Sequence, residues 1–99
     1  MKDIVEFREI HGNSYPSITS LTSDIQDKNK HFIVEYLKNG KHIAESPAKA
    51  VDLVTGESLG IPLSMQSDGK YWWRSDVAYY YEKYNIKLNE DFEKYVISQ

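Results

Sequence analysis

Cysteine is absent from the 99 residues. That excludes a disulfide framework and thiolate metal sites. Small secreted domains generally depend on such staples, so a cytoplasmic protein is expected. No apolar run approaches the ~20 residues that span a bilayer. The opening MKDIVEFREIHG mixes acids with its apolar residues, which is not the pattern of a signal peptide. An excess of positive charge is also missing, since the formal net charge is -3. Nucleic-acid binders need a basic footprint to displace counterions from phosphate, so this balance argues against nucleic acid as a partner.

Signatures of chemistry are equally sparse. His11, His31 and His42 are scattered, no pair has the spacing of a helical metal site, and no thiolate can complete one. No metal or cofactor is expected. There is no Gly-x-Ser-x-Gly elbow, and Ser17, Ser20, Ser23, Ser46, Ser58 and Ser64 stand where caps and turns want them. Gly56 and Gly60 lack the Lys-Ser/Thr ending of a phosphate loop. Asp52 and Glu57 flank a Thr55-Gly56 turn and read as solvated hairpin carboxylates, with nothing nearby to split their pKa values. An enzyme is not expected.

What is present is one domain's worth of chain, residues 1–99, with its aromatic residues towards the end. Ser67 to Tyr84 holds both tryptophans and five of the eight tyrosines. Residues 1–50 carry seven acids and seven bases, whereas 51–99 carry eight and five, so the aromatic half is the acidic half.

Residues 3–10 fit both strand and helix periods and are read as a strand; a loop with Pro16 follows. Thr22, Ser23 and Asp24 offer N-caps for a helix with the stripe Ile25, Phe32, Ile33, Tyr36 and Leu37, and Asn39-Gly40 offers a left-handed stop. Short strands are expected over 42–45, 50–54 and 58–65, with Pro62 at an edge or bulge. Asp68-Gly69 signals a two-residue hairpin that sets Met65 opposite Trp72 and Gln66 opposite Tyr71. Ser75 is expected to cap a helix carrying Val77, Tyr80, Tyr81 and Tyr84 on one stripe, and Asn89 a last helix carrying Phe92, Tyr95 and Val96. The fold class is therefore α+β: a three- to four-stranded antiparallel sheet over residues 42–74, one helix before it and two after.

The run with Asp68, Gly69, Trp73, Asp76, Tyr80, Tyr81 and Phe92 resembles the closing segment of a family of small bacterial cytoplasmic proteins, some of which resemble toxin immunity proteins. The resemblance spans residues 31–97 loosely and 68–92 more closely. It implies inhibition by binding and brings no catalytic residue.

In the expected register the apolar Met65–Trp72 pair faces the core, with Tyr80, Tyr81, Tyr84, Phe92 and Tyr95. The other face then exposes Tyr71 and Trp73 unless a helix covers it. Tyr71, Trp73, Arg74, Asp76 and Tyr79 are accordingly the candidate partner-binding residues, with the composition of an interface hot spot. The expected partner is another protein, a basic toxin or nuclease suiting the acidic half. A homodimer through the uncovered face is a further expectation. Stacking of single-stranded nucleic acid on Tyr71 and Trp73, or a small ligand in an aromatic pocket, are the alternatives.

Overall fold

The computed structural model describes residues 2–99. Four strands form one sheet in the order β1-β4-β3-β2: β1 is Lys2–Asp3, β2 Lys41–Val51, β3 Ser58–Ser67 and β4 Tyr71–Arg74. The β2–β3 and β3–β4 pairs are antiparallel, while β1 joins β4 in parallel, so the sheet is mixed rather than purely antiparallel. A single-turn helix α1 (Arg8–His11) and a 3-10 turn (Ile18–Leu21) precede the main helix α2 (Lys30–Lys38); α3 (Val77–Tyr84) and α4 (Glu90–Ile97) follow the sheet. The α+β class holds, with one substantial helix before the long hairpin and two after. Among the described residues no helix is long and apolar enough to cross a membrane.

The hairpin explains how the two faces are assigned. The loop is Gly69-Lys70, one residue later than Asp68-Gly69. Asp68 N–H donates to Tyr71 O at 3.3 Å, and Asp68 Oδ1 accepts from the N–H groups of Lys70 and Tyr71. An aspartate that bonds its own turn leaves glycine to take the positive φ, here +96° at Gly69. Pairing consequently becomes Ser67 with Trp72, Gln66 with Trp73 and Met65 with Arg74. The slide is two residues in partner, so each side chain keeps its face. Which face is core is the reverse of the expectation. Trp73 is 0% exposed and Tyr71 is buried, whereas Met65 and Trp72 are half-buried on the face without helices.

Polar chemistry decides this. A buried indole N–H needs an acceptor, and Trp73 Nε1 donates to Leu37 O at the end of α2 (3.1 Å). Its cross-strand neighbour Gln66 donates to Gly40 O at 3.0 Å. Two adjacent side chains thus add donors to carbonyls at the end of α2, where Leu37 O also accepts from Gly40 N–H at 3.3 Å. Around Trp73 the core gathers Phe92 (ring centroids 5.7 Å apart), Tyr36 (6.3 Å), Ile33, Leu37, Tyr80 and Val96.

Several local expectations shift. Residues 3–10 are not one strand: after β1 the chain bends at Ile4 and runs without regular structure, burying Ile4, Val5 and Phe7, and then turns into α1. The main helix starts at Lys30 rather than after Thr22–Asp24, and Ile25 is 82% exposed. Its stripe is Ile33, Val34 and Leu37, with Tyr36 half-buried and Phe32 outward. β2 is one long strand through Pro47, broken by irregularities at Ile43 and after Glu45. Ser75 lies before the α3 cap position, where its hydroxyl accepts from Ser64 N–H (3.0 Å). Asn89 does occupy the α4 cap position, but its side chain donates to Asp3 O (3.1 Å) and so ties α4 to β1.

Candidate functional site

Of the five residues singled out for partner binding, three are interior. Trp73 and Asp76 are 0% exposed and Tyr71 5%. The main helix before the hairpin, α2, and α4 cover the face on which Tyr71 and Trp73 were expected to lie open; Phe92 meets Tyr71 edge-on at 5.1 Å. Asp76, at the start of α3, accepts from Arg74 Nη2 at 3.0 Å. Burial pushes its carboxyl up, and the Arg74 guanidinium opposes this. Only Arg74 and Tyr79 reach the surface, both half-buried.

The uncovered face of the sheet is the more probing surface. Trp72, Met65 and Leu63, all half-buried, line a groove of about 300 Å³ with Ala44, Glu45 and Arg74 at its margins. Arg74 is held by the buried Asp76, so the cation at this margin is fixed in place. At the other edge, Asp3 of β1 is the register partner of Trp72. Around this edge, on the helical side, lies a cleft of about 530 Å³ lined by Lys2, Asp3, Glu6, Tyr71, Asn89, Glu90 and Asp91, in which Asp3 is bonded to His11 and Glu90 to Lys94.

A second constellation was not anticipated. Asp52, read above as solvated, is 1% exposed. Its Oδ2 accepts from Tyr79 Oη (2.5 Å) and Tyr84 Oη (2.7 Å), and its Oδ1 from the N–H groups of Val54 (2.8 Å) and Thr55 (3.1 Å). Lys83 Nζ stands 3.7 Å away and also donates to Tyr79 Oη at 3.1 Å. Burial raises the Asp52 carboxyl, but the two phenols and two backbone donors outweigh it and hold the group well below the usual carboxylate range. The Lys83 ammonium is pushed up, chiefly by Tyr79. Tyr80 adds to the junction: its hydroxyl donates to Val51 O (2.7 Å) and accepts from Leu53 N–H (3.1 Å), and burial pushes its phenol up to about 12.

A carboxylate with four donors is spent on structure and has little capacity left to take a proton from a substrate. The signal for it in the sequence was the Asp52-x-x-Thr55-Gly56 turn, but nothing in the spacing joins residue 52 to Tyr79 and Tyr84. Among the described residues no three His, Asp or Glu side chains gather so as to hold a metal ion.

Geometry places this chain among α+β domains with a mixed sheet covered by helices on one face only. In comparisons with family models, curated proteins and solved structures, nothing matches it.

Proposed function

We propose that this chain is a cytoplasmic protein-binding module that acts by occluding its partner, in the manner of an immunity or inhibitor protein. The docking surface is the uncovered sheet face centred on Trp72. The observation that carries the reading is that face itself: a half-exposed tryptophan beside Met65 and Leu63, with no helix over it. Tryptophan and arginine together are the residues most often found to dominate interface energies. The acidic cleft of Asp3, Glu6, Glu90 and Asp91 lies at the β1 edge on the helical side, and its charge favours a basic partner, whose encounter it would accelerate. Nucleic-acid stacking loses support, because Tyr71 and Trp73 are buried.

Affinity capture from cell lysate, wild type beside Trp72→Ala, tests the reading. The expected result is one stoichiometric basic protein retained by the wild type and released by the variant. The loss in affinity should be about 2 kcal/mol or more, and the variant's thermal unfolding should change little. Equal retention by both proteins would refute the assignment. So would a wild-type dimer, seen by sedimentation, that Trp72→Ala dissociates, because the face would then be a self-interface.

A further inference from the structure

β2 is an edge of the sheet, and among the described residues no strand lies against its outer side. A long unpaired edge is a template for pairing with another chain. Residues 41–49 are all exposed, and their partners in β3 show which backbone groups face outward. Ser64 N–H donates to Ser75 Oγ (3.0 Å) and Ser64 O accepts from Ser75 N–H (2.8 Å), so both groups turn away from β2. Pro62 has no N–H, and its carbonyl accepts from Ser75 Oγ at 3.4 Å. In an antiparallel ladder, opposed residues either exchange both bonds or exchange none. Glu45 opposes Ser64 and Lys49 opposes Pro62, so the N–H and C=O groups of both face the open edge.

Ser64 and Pro62 are two residues apart on β3, which puts Glu45 and Lys49 on one face of the sheet. Neither side chain forms an ion pair among the described residues. Outward from Pro47 the chain reads Glu45, Ala44, Ile43 in one direction and Lys49, Ala50, Val51 in the other. The segment is thus a near-palindrome with its charges opposed. Ile43 and Val51 are 44% and 40% exposed, two of the large apolar residues left open to water. The centre needs no ladder bonds, because Pro47 has no N–H and Ala48 N–H already donates to Ser46 Oγ at 3.1 Å.

We propose that β2 pairs antiparallel with β2 of a second copy of this chain, about a two-fold axis at Pro47. Glu45 then meets Lys49 of the other copy on either side of the axis, and Ile43 meets Val51. Val51 O accepts from Tyr80 Oη, so the ladder ends there and that last pair meets through side chains. Slipping by two residues would set Glu45 against Pro47 or Val51 and lose the ion pair. The axis stands perpendicular to the sheet, so both Trp72 grooves open on the same side of one continuous sheet. The proposal does not rest on what those grooves bind, since β3 separates this edge from β4.

Sedimentation equilibrium of the full chain up to millimolar concentration tests the proposal, with thermal unfolding to show that each variant is folded. Wild type is expected to dimerise reversibly, and Trp72→Ala to dimerise equally well. Glu45→Lys or Lys49→Glu alone sets like charges opposite each other on both sides of the axis. Either should weaken the dimer by about tenfold or more. Combining the two restores opposite charges only where residues 45 and 49 oppose each other, and should recover wild-type affinity. A wild type monomeric at every concentration would overturn the proposal and leave this edge to a strand of some other protein. Dimers indifferent to both single reversals, or a double variant no tighter than either single one, would also overturn it. So would loss of the dimer in Trp72→Ala, which would move the contact to the sheet face.

Discussion

Gly40 has no room for a methyl group. A Cβ placed there would stand 2.4 Å from Cζ2 of Trp73 and 3.2 Å from the Gln66 Cβ. Its backbone is not in the left-handed region, so the Asn39-Gly40 stop was correctly located but for the wrong reason. Glycine is needed there because the end of α2 approaches an indole ring. Gly40→Ala should cost about 1–3 kcal/mol through overpacking, and that cost should shrink in a Trp73→Phe background, where the smaller ring makes space. Urea unfolding of the four proteins checks this, and equal costs in both backgrounds would show that the ring is not the obstacle. Trp73 shows why the site was only partly legible. Alternation correctly placed Tyr71 and Trp73 on one face, but hydrophobicity alone favoured Met65–Trp72 for the core. The deciding partners, the carbonyls of Leu37 and Gly40, lie in an element distant in sequence.

At the scale of elements, the β2–β3 hairpin is an exposed arm whose tip returns to the tyrosine helix. Residues 41–49 are all exposed, yet Ala50 and Asp52 are buried, and Asp52 reaches Tyr79 and Tyr84 of α3. The turn around Gly56 and the inward stripe of Val77, Tyr80 and Tyr81 were readable from local chemistry and helical period. The junction between them was not, because a carboxylate that meets phenols across the fold leaves no periodic trace. Asp52→Asn should lower stability by about 2 kcal/mol near neutral pH, as charged hydrogen bonds are lost. The Asp52 carboxyl sits lower in the folded chain than its unfolded value of about 3.9. Its contribution is therefore complete above about pH 4 and is lost as pH falls through the folded value. Wild type should weaken on acidification from about pH 4 downward more steeply than Asp52→Asn. Parallel decline in urea unfolding series would contradict the assignment.

For the whole molecule, tyrosine sets the alkaline limit. Burial, first of all, pushes the phenols of Tyr36, Tyr80 and Tyr81 up, Tyr80 to about 12. Groups raised by folding contribute stability that is intact below their unfolded value of about 10 and is lost as pH rises through the folded values. Phenolate absorbance should lag behind that of free tyrosine and then rise together with loss of helical circular dichroism. Normal titration near pH 10 with the fold intact would refute this. The α+β class and the order of one helix, a hairpin sheet and two helices were legible in patterning and turn residues. The parallel β1 was not, since two residues carry no period and the neighbouring apolar run served helix and strand equally.

That short parallel strand bears on how the chain acquires its structure. β4 finds one neighbour, β3, across a two-residue turn, but its other neighbour comes from the far end of the sequence, where Lys2 meets Tyr71. Closing so long a loop is slow compared with forming a hairpin. Asn89 then fastens the returning segment to α4 through its bonds to Asp3 O and Ile4 O. The expected order of assembly is hairpin first and the β1 pairing last, which amide-exchange labelling during refolding would check. Residues 2–7 are thus both an edge strand of the sheet and, through Ile4, Val5 and Phe7, part of the core that they close.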